Sequence, residues 1–195
     1  MKRIVIAAMA MSLVMGITAC SDTTEDATTE EVTTEASVTD AYDESDAIRS
    51  DIVKFINEDL PSIESERNSA VAVYNSYFED GGSDSESWVS SLESEAIVSY
   101  DSYLEKLAAF TYETSQVTEL RDLYLSSAQC QRDAIMSVIT GLKNGDSSFT
   151  TDTNTYIDQS KEYLTQYQEL LQTLCSENNI TIKNSSQTAS GTDAE

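Results

Sequence analysis

The chain has 195 residues, with 35 Asp and Glu against 11 Lys and Arg and no histidine, for a formal charge of −24. That excess withholds the basic patch on which nucleic-acid affinity rests, and the missing imidazoles exclude histidine catalysis and histidine metal sites. One proline and six glycines argue against a β-sandwich, a collagen-like repeat or a glycine-rich phosphate loop, while the length suits one folded domain with one core.

The first twenty residues carry the strongest signal. Lys2 and Arg3 precede an apolar run from Ile4 to Met15 broken only by Ser12, and Gly16-Ile17-Thr18-Ala19-Cys20 follows. A basic start, a short apolar core and small residues before a cut describe a secretory signal peptide. The run is shorter than the roughly 20 residues of a membrane-spanning helix. Ile17-Thr18-Ala19-Cys20 resembles the lipobox of bacterial lipoproteins, in which Leu, a small or β-branched residue, Gly or Ala, and Cys follow one another. Ile17 stands where Leu is usual, with similar volume. The resemblance implies cleavage after Ala19, a diacylglyceryl thioether on Cys20, and a membrane partner reached through palmitate-like acyl chains on the extracytoplasmic face. Two or more chains anchor stably where one is marginal. Ser21 fits outer-membrane sorting in a two-membrane cell. The long spacer that follows is at least as natural on a one-membrane cell, which is the reading preferred.

Residues 1–19 are thus the signal peptide and 20–45 a linker. Residues 21–46 hold ten acids, seven threonines and no base. So little apolar area cannot offset the entropy of ordering, and a disordered stalk is expected, roughly 25–30 Å in span as a flexible coil and longer with self-repulsion. Residues 183–195, polar and small, read as a frayed tail.

Between them, residues 46–182 show helical periodicity throughout, and the expected fold is all-α, an antiparallel up-down four-helix bundle. The first helix, about 46–79, places Ile48, Ile52, Ile56 (or Phe55), Leu60, Ile63, Ala70, Tyr74 and Tyr77 on one side, with a kink or break at Pro61, where the chain loses a donor, and Asp59 able to cap a second piece. The second, about 85–112, carries Trp88, Leu92, Ala96, Tyr100, Tyr103, Leu107 and Phe110 after possible caps at Ser83 to Ser85. The third, about 115–143, ends at Asn144-Gly145, a left-handed C-cap. The fourth, about 151–177, has Asp152 as expected N-cap, Asn178-Asn179 as stop, and Tyr156, Ser160, Tyr163, Tyr167, Leu170 and Leu174 along its apolar row. The stretch from Thr111 to Gln116 lacks both Gly and Pro. A break there lets four matched helices bury their stripes; a single helix over 85–143 is the alternative.

Candidate chemistry is sparse. Ten tyrosines could grip a glycan or peptide, but tyrosines also line thin bundles with their hydroxyls at the wet edge, and that reading is preferred. The Gly81-Gly82 loop with Glu79, Asp80, Asp84 and Glu86 lacks the ligand spacing of a twelve-residue calcium loop, and Trp88 beside it reads as a buried anchor. Cys130 and Cys175 lie too far apart along a helical hairpin to pair, an axial offset of roughly 16 Å against a limit near 7 Å, so both are expected free. No spacing singles out a Ser/Lys or carboxylate pair. No catalytic residue, metal or cofactor is assigned. The reading is a lipid-anchored, non-enzymatic binding or interaction module with an envelope protein as possible partner. The alternatives are a small-ligand or glycan-binding lipoprotein serving a transporter or the cell-wall machinery, and, less favoured, an envelope enzyme.

Overall fold

The structure, a computed structural model, describes residues 17–20, 38–79, 84–146 and 148–184. The chain is all-α, and the described residues form four helical stretches and one short two-stranded ribbon. Helix α1 runs Val38–Lys54, passes through a π-helical turn at Phe55–Asp59 and continues as Leu60–Glu79. Helix α2 comprises Ser85–Ser91, a second π-turn at Leu92–Ala96, and Ile97–Ala109. Helices α3 (Ser115–Asn144) and α4 (Phe149–Glu177) are uninterrupted. Strands β1 (Ile17–Cys20) and β2 (Thr181–Asn184) pair antiparallel. Helix α1 therefore begins at Val38 instead of 46, inside the stretch expected to be linker. Glu44 is held there by the Gln116 side-chain amide of α3, at 3.0 Å. The Gly81-Gly82 loop lies outside the described residues.

Pro61 does not break α1. A proline offers no N–H and crowds the carbonyl one turn back. The chain answers by widening the preceding turn: the Leu60 N–H donates to the Phe55 carbonyl, five residues back, and the Ser62 hydroxyl donates to the Asp59 carbonyl at 2.6 Å. Insertions of this kind are a recognised way for a helix to absorb a local defect. The Asp59 side chain, expected as a cap, instead accepts from the Tyr112 hydroxyl at 2.8 Å.

The break between α2 and α3 is present, though α2 ends at Ala109 and not at 112. Since residues 110–114 contain no turn former, tertiary contacts hold them. Arg121 donates to the carbonyls of Ala108 (2.9 Å) and Phe110 (2.6 Å), closing the end of α2. Lys54 donates to the Thr111 carbonyl at 3.1 Å and lies over the Tyr112 ring. Thr114 gives α3 no side-chain cap. Its own N–H and hydroxyl donate to Asp51 of α1, at 2.8 and 2.7 Å. Both residues are buried.

The other ends follow local rules. Asp84 caps α2 by accepting from the Ser87 N–H at 3.0 Å. Gly145, at φ 63°, ends α3, and Asp146 N–H reaches the Gly141 carbonyl at 2.9 Å, a left-handed stop that only glycine enters freely. Asn179, at φ 53°, ends α4 likewise, with Ile180 N–H bonded to the Cys175 carbonyl at 2.8 Å. Asp152 is not the cap of α4. That helix starts one turn earlier, after Ser148, whose N–H and hydroxyl are taken by Asp146.

One apolar core runs through all four helices, from Ile52, Phe55 and Tyr74 in α1 to Leu171 and Leu174 in α4. On α4 the buried row is Ser160, Leu164, Tyr167, Leu171 and Leu174, with Tyr156, Tyr163 and Leu170 at its half-buried flank. Small side chains let α3 and α4 approach closely: Ser127 meets Ser160 at 2.8 Å, Ser137 meets Thr153 at 3.3 Å, and Phe149 lies against the bare Cα of Gly141. Ion pairs bracket α2 on both sides, Lys106 with Glu66 of α1 and Asp101 with Arg132 of α3 (2.7 Å). Asp101, a repulsive neighbour of Glu105 along its own helix, is thus answered across the bundle.

Two substitutions test this account. Asp51→Ala leaves two buried donors of Thr114 unanswered and should cost about 1–3 kcal/mol in urea unfolding, with Asp51→Asn, which keeps an acceptor, losing less. Gly141→Ala places a Cβ inside the Phe149 side chain. The overpacking, about 1–3 kcal/mol, should outweigh the roughly 1 kcal/mol that Gly→Ala gains in an open helix, and the melting temperature should fall.

Candidate functional site

The polar interior of the bundle is its most constructed feature, and it was not legible as a site in the sequence. Between Ile63 and Ala70 the buried row of α1 passes through Arg67, which is 9% exposed. Around it stand Tyr100 and Tyr103 of α2, Tyr124, Ser127 and Gln131 of α3, and Ser160 of α4. Tyr100 shares a side-chain hydrogen bond with Arg67 and donates to Gln131 Oε1 at 2.7 Å. Gln131 Nε2 donates to Ser160 Oγ at 3.1 Å, and Ser160 joins Ser127. Tyr103 and Tyr124 stand against the same small void as Arg67. Each helix contributes, and the hydrogen bonds run unbroken from Tyr100 through Gln131 and Ser160 to Ser127. Satisfied networks of this kind fix one packing arrangement.

The void beside the network is about 10 Å³, lined by Arg67, Tyr103, Tyr124, Ser127, Gln131, Ala128 and Leu164, room for no more than about one water. This is a core, not a substrate chamber. Burial disfavours the phenolates of Tyr100 and Tyr103. Tyr100, Tyr103 and Tyr167 sit well above the ordinary tyrosine range, chiefly because desolvation disfavours the phenolate, and Tyr74 is pushed up to about 12 for the same reason. Tyr112 rises through burial and the Asp59 carboxylate beside its hydroxyl.

The eight tyrosines whose side chains are described look inward. Tyr74, Tyr100, Tyr103 and Tyr167 are buried, and Tyr112, Tyr124, Tyr156 and Tyr163 half-buried. Phe55 is the hub, edge-on to Tyr112, Tyr124 and Tyr167 at 5.6–6.4 Å between centroids. Trp88 is buried, donates its indole N–H to the Val73 carbonyl at 3.1 Å, and leans on Tyr74. Among the described residues the one exposed large hydrophobic is Val98.

Cys130 and Cys175 are free thiols, half-buried and buried respectively. Burial raises both, Cys175 to about 11, which makes them poor thiolate nucleophiles. Cys20 and Ala19 fall in β1, paired with Thr181 and Ile182.

A concavity of about 360 Å³ lies where α3 gives way to α4. Met136, Phe149 and Tyr156 form its apolar part, and Asp133, Asp146 and Asp152 contribute carboxylates. Asp146 is committed to Ser148, whose N–H and hydroxyl hold it below the usual carboxylate range, and Asp133 faces Arg132 at 3.5 Å. Among the described residues no group of three acids or thiols is placed to hold a metal ion, and no helix is long and apolar enough to cross a membrane.

No family model matches the chain, and no curated protein or solved structure is significantly similar to it.

The buried phenols carry a pH dependence whose sign follows from their direction. Their values are raised in the fold and near 10 in the unfolded chain. The stability they confer is therefore complete below about pH 10 and is lost as pH climbs toward the folded values. In an alkaline titration, tyrosinate absorbance should stay low past pH 10 and then rise cooperatively with the loss of helical circular dichroism. A gradual rise at ordinary tyrosine pH with the helices intact would contradict the buried assignment.

Proposed function

We propose that the protein is a bacterial lipoprotein, held at the extracytoplasmic face of a membrane by lipid on Cys20, which presents a helical binding or interaction module on an acidic stalk. The observation that carries this is the placement of Ile17-Thr18-Ala19-Cys20 directly after a basic start and a short apolar run. The acidic stretch between Cys20 and α1 then serves as a spacer that an anionic membrane repels.

The module itself is proposed to be an antiparallel up-down bundle kinked at Pro61. Support comes from the seam between α3 and α4, where contacts step down one helix as they step up the other: Ser127 with Ser160, Ser137 with Thr153, Gly141 with Phe149. The π-turn ahead of Pro61 is the local distortion that a kink would use. An interaction role without catalysis is favoured by the chemistry of the groups present. The thiols and buried phenols are held protonated, and the conspicuous polar network is occupied with itself. A transporter, a secretion assembly or wall machinery is the class of envelope partner such a module would serve.

A second reading, small-ligand binding, has the groove at the α3–α4 junction in its favour. Its volume lies in the range of small-molecule sites, and its aspartates would suit a cationic ligand.

The anchor is tested by Cys20→Ala in a bacterium that makes lipoproteins, with a labelled fatty acid supplied. The wild-type chain should take up label and sediment with membranes; Cys20→Ala should do neither, while the helical domain keeps its melting temperature. A Cys20→Ala chain that remains membrane-bound would remove the proposal.

A further inference from the structure

The lipobox is not a free terminus in the folded chain. Ile17, Thr18, Ala19 and Cys20 pair with Asn184, Lys183, Ile182 and Thr181, so the Ala19–Cys20 peptide lies inside a ribbon. The chain leading into the template strand is anchored. Immediately before β2, Asn179 turns the chain at φ 53°, the Ile180 N–H is bonded to the Cys175 carbonyl at 2.8 Å, and Arg49 of α1 donates to the Asn178 carbonyl at 2.9 Å. On its other side β1 packs against the π-turn of α1 at Phe55–Asp59. An enzyme that cleaves or alkylates at this site must take the same backbone in extended form, and a strand already in a ladder is unavailable to it until it opens.

We infer that β2 is an internal gate on lipidation: the folded precursor sequesters its own lipobox, so modification of Cys20 and formation of the ribbon exclude one another, and modification must come first. This rests on the lipobox reading. The reactions gated are two. Cys20 Sγ displaces the phosphate headgroup of a membrane phospholipid from its diacylglyceryl carbon: the S–C bond forms, the C–O bond breaks, and the thiol proton leaves with the phosphate. Water then adds across the Ala19–Cys20 peptide, giving a carboxylate on Ala19 and an amine on Cys20. After that cut β1 retains Cys20 alone, and the ribbon cannot re-form in the mature protein.

A two-stranded ribbon of this size is marginal by itself, so the expected protection is about tenfold, equivalent to about 1.4 kcal/mol of opening free energy. The test offers full-length precursor in detergent to membrane vesicles that carry lipoprotein-processing activity, and follows the mass of the Cys20-containing end. Three samples are compared: folded precursor, precursor diluted from urea directly into the vesicles, and a folded Ile182→Pro/Lys183→Pro double variant, which removes one ladder donor of β2 in either register of alternation and bends the strand. The folded wild type should be processed about tenfold more slowly than the other two, with the double variant retaining the cooperative helical melt of the wild type. Equal rates for all three would overturn the gate while leaving the lipobox intact. If even the urea-diluted precursor is never modified, the lipobox reading fails and the gate with it.

Discussion

The fold depends on one carboxylate. Asp51, buried on α1, receives the backbone N–H and the hydroxyl of Thr114, and so starts α3 from a residue 63 positions earlier in the chain. Without that acceptor nothing local tells the chain to leave one helix and begin another, because residues 110–114 hold neither glycine nor proline. Lys54, Asp59 and Arg121 hold the same five residues. Three of these four side chains project from one short stretch of α1 that includes the π-turn. A widened turn forced by Pro61 and a corner forced by tertiary capping are therefore two faces of one junction, and the four-helix count follows from it.

Two kinds of helix contact then share the interior. The α3–α4 seam is narrow because serines, a threonine and a glycine line it. From α1 and α2 the interior is filled by Tyr74, Tyr100 and Tyr103, since a phenol ring reaches farther than a leucine and its hydroxyl can be answered inside. This division explains why the polar network sits at mid-bundle. Long rings from one side arrive at short hydroxyls from the other, and Arg67 completes the meeting from α1. Desolvation of the rings keeps them uncharged, so the network adds direction without adding anions to an already acidic molecule.

Much of this was legible in the sequence, and the failures share a cause. Helix existence was clear because apolar residues recur at helical spacing over long windows, and the stops at Gly145 and at Asn178-Asn179 were clear because left-handed caps demand particular residues. The start of α1 at Val38 was hidden by composition, since an acidic, threonine-rich stretch reads as stalk until Gln116 is seen to hold Glu44. The cap of α4 was misplaced because Asp146 acts from the loop on Ser148, leaving Asp152 idle as a cap. Arg67 was passed over as a gap in an apolar row, although the seven-residue step from Ile63 to Ala70 requires something to stand between them on the same face. Asp51, Arg67 and Gln131 owe their roles to partners on other helices, and no single-helix pattern encodes a partner. The proposed lipobox is the opposite case. It is read entirely from order and spacing, and the fold adds only the strand that lies beside it.

Trp88 gives the molecule a property unrelated to its stability. It is the sole tryptophan among ten tyrosines, buried near the start of α2 with its ring 5.7 Å from that of Tyr74 on α1. Light absorbed by Tyr74 therefore passes to a single emitter at the α1–α2 seam. The intrinsic fluorescence of the domain is a local optical gauge of that seam, and it will register a parting of the first two helices even when α3 and α4 stay together.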